Sequence, residues 1–135
     1  MIWINRTYLL FMALVYGLIG GWAILDPLAA GLDLGWPSFM EAVGLSVTSS
    51  IGYSEIAGIY GGLNLCIGIM CLIGIFKKDI GIFSMKLLTF LVGSIAFGRV
   101  LFSMLPTTPS FYNSFFVFEV SALVVGLFLL YFQKD

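Results

Sequence analysis

Four long runs of apolar residues constrain the fold of this chain more than any other feature. They cover residues 7–25, 55–76, 80–105 and 111–132, with polar stretches between them. The first run contains no charged residue. As a helix it would extend roughly 28 Å at about 1.5 Å per residue, close to the ~30 Å hydrocarbon core of a bilayer. The pattern predicts four transmembrane helices in one membrane domain, residues 1–135.

The composition supports an integral membrane protein over a soluble one. The chain is 61% hydrophobic and 10% charged, whereas soluble domains are roughly 45–50% apolar and about 25% charged. A soluble domain of 135 residues could not bury that much apolar surface. We therefore predict an all-α four-helix bundle in a lipid bilayer. A cleaved signal peptide over residues 7–25 is the less favoured alternative, because its apolar region would span only about 7–15 residues.

A long connection over residues 26–54 is predicted between the first two spans. Asp26-Pro27 should end the first helix, because proline disfavours helical continuation. A short amphipathic helix near Pro37–Leu45 would lie in the membrane interface, with Trp36 as its anchor. The turn-rich residues 47–52 should be loop.

The positive charges predict the orientation of the four spans. Five cations fall on one side of the membrane: Arg6, Lys77, Lys78, Lys134 and, by extension of its side chain, Lys86. The opposite loops contain Asp26, Asp33 and Glu41 but no Lys or Arg. Because cytoplasmic loops are enriched in Lys and Arg, both termini should be cytoplasmic.

Polar residues within the spans are the candidate site. Charges inside a bilayer are costly and usually have a partner or a function. Arg99 and Glu119 fall in the outer halves of consecutive antiparallel spans, which predicts an ion pair. Glu55 near the mouth and Asn64 near the midplane complete a predicted polar cluster. The pair would either fix helix register, the favoured interpretation, or form a site for a headgroup, ion or proton.

Small residues indicate where helices approach closely. On a wheel of 100° per residue, Glu55, Gly58, Gly62 and Cys66 share one stripe of the second span, and Gly61, Asn64, Gly68 and Cys71 share the opposite stripe. The second span should therefore pack on both faces, either as the central helix of the bundle or between the bundle and a partner. The predicted packing positions in the whole chain are Gly17, Gly21, Gly58, Gly61, Gly62, Gly68, Ala122 and Gly126.

The inventory of reactive residues argues against catalysis. The chain has no histidine, which excludes the usual haem ligand, most zinc sites and any Ser-His nucleophile pair. Cys66 and Cys71 lack the spacing of a metal or redox motif. A net charge of −1 provides no basic surface for nucleic acid. We expect no metal, cofactor or catalytic residue, and a lipid-modifying enzyme using Glu55 or Glu119 ranks last.

One motif resembles a known family. Ile59-Tyr60-Gly61-Gly62-Leu63, followed by Gly68, is similar to the "YGGL…G" signature of the small bacterial four-span proteins called domain-of-unknown-function family 4345, which are distantly DoxX-like. Arg99 and Glu119 also fit that family, whereas Glu55-Ile-Ala-Gly-Ile stands where the family often has an arginine. The resemblance implies a four-helix protein of the bacterial inner membrane. DoxX-like relatives are associated with respiratory or redox membrane complexes, which suggests an accessory subunit.

Two functions from different classes remain open at this stage. The first is an accessory or interaction subunit that contacts a membrane-protein partner, or a second copy, through its glycine-lined faces. The alternative is a binder or carrier of a small amphiphile, a lipid or a quinone, through a polar pocket in the outer half. Neither the partner, the ligand nor the oligomeric state follows from the sequence.

Overall fold

The computed structural model describes residues 2–31, 35–104 and 114–133. Over these ranges the chain is helical, and its elements are α1 (Ile2–Gly31), α2 (Phe39–Ala42), α3 (Ser50–Glu55), a π segment (Ile56–Leu63), α4 (Asn64–Phe76), α5 (Lys78–Ser103) and α6 (Ser114–Tyr131). α3, the π segment and α4 are continuous and are called span two below. α1, span two, α5 and α6 are each long and apolar enough to cross a membrane. The predicted all-α four-helix fold is confirmed.

The four long helices pack in chain order around a single main core. α1 lies along α4 and the π segment, α4 packs against α5, and α5 packs against α6. The Tyr8 hydroxyl donates a hydrogen bond of 3.3 Å to the Ala122 carbonyl and so connects α1 to α6. Fully buried apolar side chains from all four helices fill the interior, among them Met12, Cys71, Leu88, Val92 and Leu129.

A one-residue turn joins α4 to α5. Gly74 and Gly81 make it possible, since a Cβ added to Gly81 would lie 2.6 Å from the Gly74 carbonyl oxygen. One turn further into the bundle, the Ser84 hydroxyl donates 3.2 Å to the Met70 carbonyl. At this end of the bundle, the backbones of span two and α5 are therefore nearly in contact.

The first helix is longer than predicted. It continues through Asp26-Pro27 to Gly31, so the prediction that it ends at Asp26-Pro27 was wrong. Proline removes only one backbone donor, so its ring is compatible with a helix that continues past it. Asp26 is 4% exposed, and its Oδ2 accepts a hydrogen bond of 3.3 Å from the Ser38 hydroxyl.

The connection to span two is shorter and better packed than predicted. The expected interfacial helix is the single turn α2, in which Phe39 is buried against Ala23 and Ile56. Span two begins at Ser50, inside the stretch predicted to be loop. The Ser49 hydroxyl accepts from the Gly52 amide at 3.3 Å, a favoured N-cap arrangement that explains the early start.

The remaining span boundaries fall close to the predicted ones. The third span was placed at 80–105 and is Lys78–Ser103, and the fourth was placed at 111–132 and is Ser114–Tyr131. The stretch between these two spans, residues 105–113, lies outside the described residues, as do Asp33 and Lys134.

Candidate functional site

An ion pair connects α5 to α6, as the sequence predicted. Arg99 Nε donates to Glu119 Oε2 at 2.8 Å and to Oε1 at 3.1 Å, and Nη2 donates to Oε1 at 3.0 Å. Both carboxylate oxygens are thus engaged by one guanidinium, the planar arrangement that gives charge-assisted pairs their strength and geometric specificity. The contact thus joins α5 and α6 through one pair of charged side chains.

The two partners differ in their exposure. The Glu119 side chain is 9% exposed and that of Arg99 is 35% exposed. Arg99 Nη1 makes no hydrogen bond with any described residue. The carboxylate is therefore the buried member, and the guanidinium retains donors on its open side.

The other two members of the predicted polar cluster do not join the pair in the described structure. Glu55 is exposed at the end of α3, and it makes no hydrogen bond or ion pair with a described residue. The Asn64 side chain donates to the carbonyl of Tyr60, one turn earlier in span two, at 2.7 Å. Asn64 thus satisfies the backbone of its own helix, and the polar cluster reduces to Arg99 and Glu119.

The motif that resembles family 4345 lies within the π segment. A π-helix bonds each residue to the fifth one along the chain, and such segments inside α-helices are frequent at functional sites. Ile56 and Gly61, five residues apart, are both buried. The hydrogen bond from Asn64 to Tyr60 lies where the π segment returns to α-helix.

Three predicted packing glycines lie at close helix crossings. A Cβ on Gly68 would lie 2.8 Å from the Gly17 amide nitrogen of α1, a Cβ on Gly61 would lie 2.5 Å from Ile24 Cγ1, and one on Gly126 would collide with the Thr89 hydroxyl. Ala122 is buried and receives the Tyr8 hydroxyl. These positions allow the approach of α1 to span two and of α6 to α5.

One face of span two has no neighbouring helix among the described residues, so a contact on this face stays a prediction. A Cβ at Gly58 would have nothing within 4 Å, and one at Gly62 would meet only its own segment's Ala57 carbonyl at 3.7 Å. Cys66 on the same stripe is exposed. The stripe of Gly58, Gly62 and Cys66, called the outer stripe below, is uncovered by the described helices of this chain.

Three glycines that the sequence analysis missed are in tight contacts. A Cβ on Gly20 would lie 2.8 Å from the Gly61 carbonyl oxygen and 2.9 Å from Leu65 Cα, and Gly74 and Gly81 meet at the α4–α5 turn. Gly20 was overlooked because the Gly17–Gly21 spacing matched a familiar pattern. A Cβ at Gly17 or Gly21 would meet nothing within 4 Å.

Gly17 and Gly21 instead form part of an apolar groove beside Trp36. The groove has a volume of about 480 Å³ and also includes Leu18 and Trp22. The Trp22 indole nitrogen donates 2.9 Å to the Pro37 carbonyl, which fixes the connection against α1. Trp36 is 55% exposed beside the end of α1, a position compatible with its predicted role as an interfacial anchor.

Comparisons with known protein families, with characterised proteins and with solved structures find no match. Among the described residues, no three His, Cys, Asp or Glu side chains lie close enough together to hold a metal ion. The class that the fold defines is a multi-pass α-helical membrane protein, and an ion pair joins two of its described spans.

Proposed function

We propose that this chain is an accessory or interaction subunit of a membrane-protein complex and catalyses no reaction of its own. The observation that supports this proposal is the uncovered outer stripe. Glycine costs a helix about 1 kcal/mol relative to alanine, and in membranes it is favoured where another helix backbone comes close. Gly20, Gly61 and Gly68 have such a neighbour within the chain, whereas Gly58 and Gly62 have none among the described residues.

The partner that fits the outer stripe is a transmembrane helix of another protein. Gly58 and Gly62 would offer its backbone a surface without side chains. Both glycines lie in the π segment, on the side that faces away from α1. The similarity of the Ile59–Leu63 motif to family 4345, whose distant DoxX-like relatives are associated with respiratory or redox complexes, supports the same proposal.

Native mass spectrometry after gentle extraction tests this function. We expect a discrete second protein at a fixed ratio to the wild-type chain, and we expect Gly58→Leu/Gly62→Leu to lose it while the chain itself stays folded. Phe90→Leu is the matched control, because Phe90 is 81% exposed on α5, away from the stripe. A chain found alone, or a partner retained equally by all variants, would refute the proposal.

The two cysteines provide an independent test in the native membrane. Cys66 is exposed on the outer stripe and Cys71 is buried. A membrane-permeable crosslinker with one thiol-reactive end and one photoreactive end, which inserts into C–H or N–H bonds of any neighbour, should therefore produce a larger adduct that disappears in Cys66→Ser and persists in Cys71→Ser. An adduct of twice the mass of the chain would identify a second copy as the neighbour instead of another protein. The same adduct in both variants would contradict the assignment of the stripe.

The alternative function, binding of a lipid or quinone in the outer half, is favoured by one observation. The partly exposed Arg99 has donors at Nη1 that no described residue uses, and a headgroup oxygen would accept from them. A lipid or quinone that is retained by the wild-type chain and lost in Glu119→Gln would support this alternative, whereas retention in both would oppose it.

We further propose that the protein resides in the bacterial inner membrane with both termini in the cytoplasm. Arg6, Lys78 and Gln133 line one cavity, so the start of α1, the α4–α5 turn and the end of α6 share one side of the bundle. That side contains the Lys and Arg residues expected in the cytoplasm. A fluorescent protein fused after Asp135 should fluoresce, and a phosphatase fused there should be inactive. The reverse pattern would contradict the orientation.

A further inference from the structure

The junction between the π segment and α4 contains a hydrogen bond that a regular α-helix would not need. In an α-helix the backbone amide of Asn64 would donate to the carbonyl of Tyr60, four residues earlier. Here that amide donates to the carbonyl of Gly61. The Tyr60 carbonyl accepts from the Asn64 side chain, whose Nδ2 lies 2.7 Å away. The side chain of Asn64 thus replaces the α-helical donor that Tyr60 loses at this junction.

The same side-chain geometry occurs elsewhere in the chain, but within regular α-helix. Ser94 donates to the Phe90 carbonyl in α5, and Ser121 donates to the Val117 carbonyl in α6. In a regular helix the backbone already supplies a donor to such a carbonyl. A carbonyl that lacks its donor is costly in the apolar part of a membrane. The side chain of Asn64 therefore stabilises the π segment against a return to α-helix.

α1 and the connection hold the π segment at its two ends. A Cβ on Gly20 of α1 would lie 2.8 Å from the Gly61 carbonyl oxygen and 2.9 Å from Leu65 Cα, so α1 contacts the backbone at the junction. At the other end of the segment, Ile56 is buried against Phe39 of α2. The winding of the backbone between these two contacts decides which residue lies against Phe39, and this choice is called the register of the segment below.

A return of the segment to α-helix would change the register by one residue. Each residue turns an α-helix by about 100°. Loss of the wider turn would therefore bring Ala57 to the place of Ile56, and Ile59 toward the place of Gly58. The outer stripe would then carry a branched side chain where it now has a glycine.

We propose that Asn64 is a positioning residue, whose side chain holds the π segment and so keeps Gly58 in line with Gly62 on the outer stripe. The role of that stripe as the surface for a partner helix rests on the proposed accessory function. The register itself requires no partner, so it can be measured on the isolated full-length chain.

Asn64→Thr and Asn64→Val form a matched pair of variants for the test. Both new side chains are β-branched and nearly equal in shape. Only threonine has a hydroxyl that can donate to the carbonyl four residues earlier, as Thr89 does to Met85 at 2.8 Å. We expect Asn64→Thr to keep the register of the wild-type chain and Asn64→Val to change it.

Maleimide labelling of introduced cysteines in micelles measures the register. In a Cys66→Ser background, Ile56→Cys should be protected in the otherwise wild-type chain and with Asn64→Thr. With Asn64→Val its labelling should be up to about tenfold faster, as expected for the loss of one hydrogen bond. Ala57→Cys should change in the opposite direction. The native Cys71, which is fully buried in α4, reports on the fold and should stay protected in every variant.

Two labelling results would overturn the proposal. Equal labelling of Ile56→Cys with Asn64→Thr and Asn64→Val would show that the donor at position 64 does not hold the register. Faster labelling of Cys71 with Asn64→Val would show that the bundle opens as a whole instead of changing register.

Native mass spectrometry of the same variants connects the register to the partner. The partner should be retained with Asn64→Thr and lost with Asn64→Val. A changed register with the partner still bound would support the role of Asn64 in the π segment and would refute the outer stripe as the partner's surface. A failure of the accessory function is thereby distinguished from a failure of the role of Asn64.

Discussion

Gly20→Ala is expected to destabilise the bundle, whereas Gly21→Ala at the next residue is expected to leave it unchanged or slightly more stable. A Cβ at position 20 would lie 2.8 Å from the Gly61 carbonyl oxygen and 2.9 Å from Leu65 Cα, both backbone atoms of span two. Because neither atom can rotate away, α1 must move off span two. Overpacking of this kind costs about 1–3 kcal/mol or more.

Gly21→Ala is a control that matches this substitution in helix, residue type and depth. A Cβ added at position 21 would have nothing within 4 Å. Both substitutions should gain up to about 1 kcal/mol of helix propensity. The difference between the two free energies of unfolding, measured by reversible denaturation in mixed micelles, therefore isolates the collision. Equal stabilities would mean that α1 and span two do not cross as closely as described.

Arg99→Met is expected to be among the most destabilising single substitutions in the chain. It leaves the Glu119 carboxylate, 9% exposed, without a cation, and an unpaired buried charge costs about 3–5 kcal/mol. Glu119→Gln should cost less, since Arg99 is 35% exposed and can extend toward the interface. Glu55→Gln is the control and should change little. The free energies of unfolding of the three variants provide the test.

Exchange of the two charges tests whether they act as partners. Arg99→Glu combined with Glu119→Arg should recover stability relative to Arg99→Glu and Glu119→Arg alone, because it restores an opposite pair between α5 and α6. Incomplete recovery is expected, since an arginine would occupy the more buried position. A double variant that is as unstable as the single variants would show that the loss of stability is set by the environment of each position and not by the charge of the partner.

Features set by the bilayer could be predicted from the sequence. A lipid environment allows a spanning backbone few forms, so four apolar runs of sufficient length predicted four helices. The Arg99–Glu119 pair was predictable for a related reason, since two opposite charges at similar depth on neighbouring helices have few other partners.

Features set by local helix geometry could not be predicted in the same way. No residue pattern indicated the π segment over Ile56–Leu63. The wheel separated the buried Gly61 and Gly68 from Gly58 and Gly62, but it does not show which stripe another helix of the chain covers. Gly20 was overlooked for a similar reason, because the Gly17–Gly21 spacing does not show which glycine of α1 meets the backbone of span two.

The ends of the first helix and of span two were misplaced because local signals competed with context. Pro27 is a strong helix breaker, yet it removes only one backbone donor, and α1 continues to Gly31. Ser49, placed in a predicted loop, is the N-cap of α3. Its favourable capping chemistry was the signal that could have located the start of span two.

The π segment also marks a place where one residue can be inserted into or deleted from this fold. Inserting one residue into a regular α-helix turns everything beyond it by 100° and would rotate the buried face of α4 away from α1. A wider turn absorbs the additional residue and leaves the contacts on both sides in place. Chains with this fold can therefore differ by one residue between positions 56 and 63, and alignments of such chains should show their single-residue gaps there.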